Sequence, residues 1–593
     1  MEVFNDAEMR RIVSLPRRPQ KWADDKVEEA RDLLTRAFKT PRGTRRLKPL
    51  QARALVELHD TGGLVGLLAP GAGKTDITAL IARVTGAMRV LLMVPAALVE
   101  KTLDDYAMLR SHWDFPIALK AKDPTHVPAG QPVIRILSYE SLSRVGYATF
   151  IEEFDPDCIV CDEAHFLQTL KSGRSKRVFR FIRNKRRKHG FGSVRFIPLT
   201  GTPWSTSLKQ VAHILEAALG SGSPLPSEYQ SLEQWSLAVD RKVKPELRLQ
   251  PGALLRLSSS GSTEIDSVRR GVRDRILDTA GIVASKEVDC GIPLIFQHRP
   301  VDVPAAVRTA MATLLETGIL PSGETSPGGL VEWSQRVQIG SGFAYYYDPP
   351  PPAAWRAAKS AWFGFVKSVI DQGKLDTPFQ VWLATEAGKF GNVPEFHAWN
   401  AIKDTFKPNS KARWLSDYLV RDAEKWALET GGIVWVSHST AYTDEPDDDD
   451  AIGGMFQQIP YFGGGDERIK TYRGPCAASL RSHGTGKNLT QWDQALLMGF
   501  PSGGKTLEQV IARHHRDGQT SEVVTFHYYA QSAEQVNAIE SALADAAFIQ
   551  ETSDMDQRIL GAQLLDASGK AFTVEKYRAE QDPSDPMWSS RGK

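Results

Sequence analysis

LVGLLAPGAGKTDITALIARVTG, residues 64–86, reads as a strand, a glycine turn and a helix. LVGLLA (64–69) is a short apolar run of the kind that forms a buried strand, and TDITALIARVTG sets its apolar residues at helical spacing. The pattern recurs downstream. RVLLMVP (89–95) is a second apolar strand with a proline stop, VIRILSY (133–139) and CIVCDEAH (158–165) continue the series, and RFIPLTGTP (195–203) closes it. Strands alternating with helices predict a parallel sheet covered on both faces. In such sheets ligands bind beyond the carboxyl ends of the strands.

The alternation pauses over residues 221–405. EIDSVRRGVRDRILDTAG, VPAAVRTAMATLLETG and AAWRAAKSAWFGFVKSVI carry helical periodicity, and DPPPP (348–352) breaks the chain just before the last of them. Trp355, Trp362 and Phe365 fall on one face and are expected to form a core, with stacking on nucleic-acid bases as the alternative. Beyond 405 the alternation resumes: SKARWLSDYLVRDAEKWALE as a helix, GGIVWVSHS (431–439) and QALLMGF (494–500) as strands, TLEQVIARHH as a helix and SEVVTFHYY (521–529) as a strand. The expected architecture is α/β, with two parallel-sheet lobes and a mostly helical insertion. Its expected parts are a basic arm (1–45), lobe 1 (46–220), the insertion (221–405), lobe 2 (406–550) and a tail (551–593). The lobes could be distant copies of one architecture.

The composition, 41% apolar and 24% charged over 593 residues, is that of a globular protein with more than one core. No apolar run reaches the length of a membrane span and the N-terminus has no apolar signal core, so a cytoplasmic protein is expected. The four cysteines, at 158, 161, 290 and 476, do not suggest a disulfide framework. CIVC lies on an apolar strand without a second pair to complete a zinc site, so both thiols are expected in the core. Net charge is only +2, but its distribution is uneven. KSGRSKRVFRFIRNKRRKHG (171–190) holds no acid, and EPDDDD (445–450) is its opposite. The basic block suits a phosphate backbone or an exposed helix face.

Two loops compete for a nucleotide. GFPSGGKT (499–506) strictly matches G-x-x-x-x-G-K-[ST], whereas LAPGAGKT (68–75) has Leu68 in place of the first glycine. Phosphates arrive with Mg²⁺, and the metal needs a carboxylate at the end of a neighbouring strand. The earlier loop has that partner in Asp162 and Glu163 of CIVCDEAH, while the strand after GFPSGGKT ends in no acid. The earlier loop is therefore the expected phosphate cradle.

In order, LAPGAGKT, DEAH and LTGTP resemble motifs I, II and III of superfamily-2 helicases, and RRLKPLQARAL (45–55) resembles their upstream glutamine motif. More narrowly, LMVPAALVEKT, ILSYESL, DEAHFLQTLKSGRS and LTGTPW are similar to motifs Ia, Ib, II and III of Swi/Snf-type ATPases. In the second half, SKARWLSDYL precedes GIVWVSHS, which is similar to motif IV, and YFGGGDERI resembles the segment after it. HGTGKNLTQWDQALLM and QVIARHHRDGQ resemble motifs V and VI. The resemblance covers about 45–215 and 408–545, and it implies two RecA-like lobes that hydrolyse ATP with Mg²⁺.

The same resemblance implies roles. Gln51 reads adenine; Gly71, Ala72, Gly73, Lys74 and Thr75 hold the phosphates; Thr75 and Asp162 hold Mg²⁺. Glu163 orients and deprotonates water, and Arg513 and Arg516, in a motif that also holds Gln509, act as arginine fingers. His165, Thr200 and Thr202 couple the ATP site to the nucleic-acid face, where Lys101, Ser138, Ser437 and Asn488 are the candidate contacts, with Arg and Lys of 171–190 as auxiliaries. GFPSGGKT then falls between motifs V and VI, where no triphosphate is cradled. The implied protein is a monomeric DNA translocase, with 221–405 as a possible protein-docking region. An RNA helicase and a nucleotide-gated clamp are the alternatives.

Overall fold

The computed structural model describes residues 2–18, 24–69, 72–201, 204, 206–258, 261–285, 291–326, 329–372, 375, 378–407, 409–437, 452–484, 486–516 and 518–589. The chain divides into two compact units. One holds Met1–Glu287, Phe363–Phe396 and Phe548–Asp556; the other holds Val288–Trp362, His397–Ala547 and Gln557–Lys593.

The first unit is built on seven parallel strands: β1 (Val65–Leu67), β2 (Arg89–Val94), β3 (Ile117–Lys120), β4 (Val133–Ser138), β5 (Cys158–Asp162), β6 (Arg195–Thr200) and β7 (Ile282–Ala284), in the order β3-β4-β2-β5-β6-β1-β7. Alternation along each strand feeds two cores. Val90, Leu92 and Val94 of β2 pack with Ile77, Leu80 and Ile81 of the helix Lys74–Thr85. Leu91 and Met93 face the other way, into the cluster that holds Val178, Phe181 and Ile182 of the helix Gly173–His189. Central strands buried on both faces must be apolar throughout, and the first four residues of β5 are buried accordingly.

The second unit repeats the plan. In chain order its strands are β8 (Leu294–His298), β9 (Phe343–Tyr347), β10 (Ser410–Trp414), β11 (Ile433–Val436), β12 (Tyr461–Phe462), β13 (Cys476–Ser479), β14 (Gln494–Leu497), β15 (Val524–Tyr528) and β16 (Gln563–Leu565). Seven of them form a parallel sheet in the order β12-β13-β11-β14-β15-β8-β16, while β9 and β10 make a separate antiparallel ribbon. If β8 is matched with β1, β11 with β2, and β12–β16 with β3–β7, the two orders are identical. The units are two builds of one topology.

The structure corrects one sequence expectation, the helix at SKARW, and fills in others. Residues 221–405 are not only helical: they supply β7 to the first sheet, β8 to the second, and β9. SKARW does not begin a helix; it is β10, and the helix starts at Tyr418. Residues 551–593 include β16 and the helix Val574–Ala579. The arm 1–45 is helical over Ala7–Ser14 and Asp24–Phe38. The aromatics of the insertion pack inward: Trp355 and Trp362 are buried, Trp355 meets Trp399 and Phe406 edge-on, and Phe365 meets Phe390. The acidic stretch 445–450 lies outside the described residues.

Candidate active site

The first glycine turn joins β1 to the helix Lys74–Thr85, and long-range contacts hold it from several sides. The Leu68 N–H donates to the Thr200 carbonyl at 3.0 Å, and the Ala69 N–H donates to Ser285 Oγ at 2.9 Å. Gly73 caps the helix at φ +81°, a left-handed conformation that costs a side-chain-bearing residue free energy. A Cβ there would also lie 2.3 Å from Gln51 Nε2. Gln51 is buried; its Oε1 accepts the Lys48 N–H at 2.6 Å and its Nε2 donates to the Gly73 carbonyl at 3.1 Å. The expected adenine reader is thus also a brace for the turn. Ala72, Lys74 and Thr75 are half-buried at the positive end of the helix dipole, where anions are favoured. Gly71 lies outside the described residues.

Two strands away, β5 delivers the acids. Lys74 Nζ lies 3.0 Å from Glu163 Oε1 and 3.9 Å from Asp162 Oδ1. Glu163 sits at φ +58°, one of three non-glycine residues with positive φ among the described residues. Strain of this kind persists only where the surroundings fix it, and it gathers at functional sites. Here the fixings are visible: the Glu163 N–H donates to Asp162 Oδ1 at 3.1 Å, and the Tyr139 hydroxyl donates to the Asp162 carbonyl at 2.8 Å. His165 Nδ1 lies 3.1 Å from Glu163 Oε2 and 3.2 Å from Thr200 Oγ1. The expected coupling pair therefore touches the acid itself. Thr202 lies outside the described residues.

The two carboxyls are driven apart electrostatically. Burial pushes Asp162 up to about 6; the Glu163 carboxylate adds to this, while Lys74 and Lys101 oppose it. Burial would raise Glu163 as well, but the Lys74 ammonium and the His165 ring outweigh it and hold Glu163 well below the usual carboxylate range. At neutral pH Glu163 is an ionised proton acceptor, and Asp162 is a carboxylate short of positive charge.

Among the described residues no three His, Cys, Asp or Glu side chains gather to hold a metal. Mg²⁺ bound with a nucleotide needs only one or two protein donors, the phosphates and water supplying the rest. One under-neutralised carboxylate, Asp162, and the Thr75 hydroxyl that opens the helix fit that demand. The C-x-x-C pair does not take part: Cys158 and Cys161 are buried free thiols that burial pushes well above the ordinary thiol range.

The strict motif GFPSGGKT occupies the wrong corner of its sheet. It follows β14, the counterpart of β5, whereas a phosphate turn belongs after the counterpart of β1. Its start is tied to other elements: the Phe500 N–H donates to Gln535 Oε1 at 3.1 Å, and the Gly499 carbonyl accepts a hydrogen bond from the Ser437 hydroxyl at 2.9 Å.

On the helix Gly504–His514, Arg513 is buried and donates to the Gln509 carbonyl at 2.9 Å and the Lys487 carbonyl at 2.8 Å, while the Leu489 N–H donates to the Arg513 carbonyl at 3.0 Å. Arg513 thereby anchors the loop that presents Asn488, which is exposed; Arg516 is half-exposed. Among the other expected contacts, Lys101 and Ser437 are exposed. Ser138 is buried, and its hydroxyl caps the short helix Tyr139–Ser143.

Sequence reasoning missed Tyr139 and Ser285. The Tyr139 contact reaches from the end of β4 past β2 to a carbonyl at the end of β5, and Ser285 comes from β7's far end, 216 residues from Ala69. No local pattern marks either. Compared with protein-family models and with curated proteins, the chain matches none.

Proposed function

We propose that this chain is a nucleic-acid-dependent ATPase that couples hydrolysis to stepping along a DNA backbone, built from two RecA-like lobes. The observation that carries the reading is the ionised, conformationally strained Glu163 held by Lys74 at 3.0 Å beside the glycine turn, with His165 on its other oxygen. The ordered motif resemblance supports the choice of ATP and DNA.

In this reading the Lys74–Glu163 ion pair is a resting arrangement. An incoming triphosphate competes for the Lys74 ammonium, and Glu163 loses the charge that depresses it. Its proton affinity rises while the carboxylate stays aimed by His165. A general base works best when its proton affinity is matched to the task, and positioned acid–base groups contribute about 10²–10⁴-fold in rate. Asp162 and Thr75 would hold Mg²⁺, which supplies neutralisation of phosphate charge as it transfers. Gly73 lets backbone N–H groups approach the phosphates, and Gln51 keeps the turn in shape. Arg516 is assigned to charge stabilisation on the transferring group, a role worth about 10³–10⁵-fold in related chemistries. Arg513 shares that assignment and adds the anchoring of the Asn488 loop. Thr200, tied to His165 and to the glycine turn through its carbonyl, relays changes at Glu163 into β1 and β6.

The test compares turnover of Lys74→Ala, Glu163→Gln and Lys505→Ala, with and without DNA or RNA oligonucleotides. The first two variants should lose ATP hydrolysis and Lys505→Ala should keep most of it, with DNA the better stimulator. A dead Lys505→Ala beside an active Lys74→Ala would invert the assignment. Turnover indifferent to DNA would remove the motor.

A further inference from the structure

The basic block 171–190 divides into two regions with different tasks. The helix Gly173–His189 runs back down the sheet. Near its start, Arg174 donates to the Phe166 carbonyl and Ser175 to the Leu167 carbonyl, just past the carboxyl end of β5. Near its end, Lys185 donates to Asp155 Oδ1 and to the Pro156 carbonyl, just before β5 begins. Its last turn therefore stands at the amino edge of the sheet, opposite the edge that holds Lys74 and Glu163.

The buried Arg177 and the half-buried Arg186 are structural. Arg177 donates to the Leu142 and Arg144 carbonyls, and Arg186 donates to the Val194 and Ala217 carbonyls while stacking over Phe191. The solvent face is different. Arg183, Asn184, Arg187 and Lys188 are exposed at one-turn spacing, with Arg180 at the head of the row. The acids on neighbouring elements are already engaged: Glu152 pairs with Arg180, Asp155 with Arg89 and Lys185, and Asp157 accepts the Met88 and Arg89 N–H groups. Among the described residues no carboxylate forms an ion pair with Arg183, Arg187 or Lys188, and Phe191 is exposed beside them.

From this we infer that Arg183, Arg187 and Lys188 form a second DNA-backbone contact, on the opposite edge of the first sheet from the hydrolytic site. The row from Arg180 to Lys188 is about 12 Å long, and duplex DNA presents one charge per about 1.7 Å of axis, so each cation can face its own phosphate. Apart from Asn184 the row offers only cationic donors, which suit phosphate oxygens, the contacts that position a protein on a duplex. Such a contact would hold DNA while the other edge releases and rebinds. The inference rests on the motor reading, and the experiment separates the two.

The triple substitution Arg183→Gln, Arg187→Gln, Lys188→Gln is made in the full chain, and duplex affinity is measured between 50 and 200 mM salt without nucleotide. Three lost phosphate contacts lower the slope of log affinity against log salt by about 2.7. Over that fourfold range the unmodified chain should lose about 40-fold more affinity than the variant. ATP turnover without DNA should be unchanged. An unchanged slope with a lowered melting temperature overturns the inference, since the cations then serve only to neutralise the helix terminus. A slope change seen with duplex RNA and not with DNA overturns it in favour of RNA. An unmodified chain that fails to bind DNA removes the motor reading itself.

Discussion

Gly504 gives the sharpest test of which glycine loop serves the proposed nucleotide. It is the final glycine of the strict motif, and a phosphate cradle would need it bare for the ligand. The structure gives another reason. A Cβ at Gly504 would lie 2.8 Å from Ala546 N, 2.9 Å from the Ala542 carbonyl oxygen and 3.0 Å from Asp545 Cβ, all on the helix Ala533–Ser553. Two of these atoms are helix backbone, which cannot turn aside. Gly504→Ala therefore forces the helices apart by about half an ångström, an overpacking cost of about 1–3 kcal/mol. Better helix propensity returns less than about 1 kcal/mol. The net loss of about 1–2 kcal/mol should lower the melting temperature by about 2–6 °C. Gly503 is the control: its nearest neighbour is Thr506 Oγ1 at 3.9 Å, and its φ of −104° suits an N-cap serine. Gly503→Ser should be neutral or slightly stabilising. Gly73→Ala, by contrast, should abolish turnover, because its Cβ would strike Gln51 in a left-handed turn. The assay is a thermal melt beside ATP turnover measured well below the transition. A Gly504→Ala chain that melts normally but loses ATP turnover would refute the reasoning.

Other consequences follow from buried charge. His298, His514 and His527 are each pushed by burial from the ordinary 6.5 to about 4. Their unfolded forms bind more protons between those values, so stability falls as pH drops through the window, by up to about 3 kcal/mol for each histidine. Trp435, whose indole N–H donates to His514 Nε2 at 3.1 Å, should report the loss by fluorescence, and a transition flat from pH 7 to 4.5 would contradict the assignment. Asp162 has the opposite sign: its raised carboxyl favours the fold at low pH and loses that contribution as pH rises from about 3.8 through about 6. Asp162→Asn should therefore stabilise the chain at pH 8 by up to about 3 kcal/mol and change little at pH 4, which denaturant unfolding at the two pH values would check. Arg558 and Glu508 form a buried pair at 2.5 Å, and Arg558→Ala should cost about 3–5 kcal/mol by leaving Glu508 unpaired. A loss below about 1 kcal/mol would show that the site relaxes to water.

The strands legible in the sequence were those buried on both faces. Val, Ile and Leu run through β2, β4, β5 and β11 because both sides of each strand meet helices. What escaped were strands without that signature. Cys476–Ser479 is wholly buried but made of small residues, which carry little β-propensity. Ile117–Lys120 and Gln563–Leu565 lie at sheet edges and are partly exposed. Ser410–Trp414 reads as helical only because its apolar residues run on into the helix Tyr418–Thr430; pairing with Phe343–Tyr347, distant in sequence, decides its state. At the site, Lys74, Asp162 and Glu163 were legible because their spacing from strand ends is fixed by the chemistry. The strain at Glu163 was not, since a backbone angle leaves no trace in residue type.

The repeated topology bears on the proposal that a single nucleotide binds, in the first unit. In the first unit, the corner formed by the ends of β1 and β6 and the start of the helix Lys74–Thr85 holds an ammonium facing two acids that a phosphate can displace. The equivalent corner of the second unit is formed by the ends of β8 and β15 and the helix Tyr418–Thr430. There Arg299 makes a two-pronged pair with Asp422, Nε to Oδ2 at 2.5 Å and Nη2 to Oδ1 at 2.8 Å. The buried Tyr529 hydroxyl donates to the same carboxylate at 2.6 Å. The pair is doubly bonded and backed by a third donor, so an anion would have to break two charge-assisted hydrogen bonds to reach the guanidinium. The turn is also missing: 117 residues separate Arg299 from Asp417, where the first unit uses a short glycine loop. One topology thus offers two corners, and side-chain chemistry leaves only the first open to an anion.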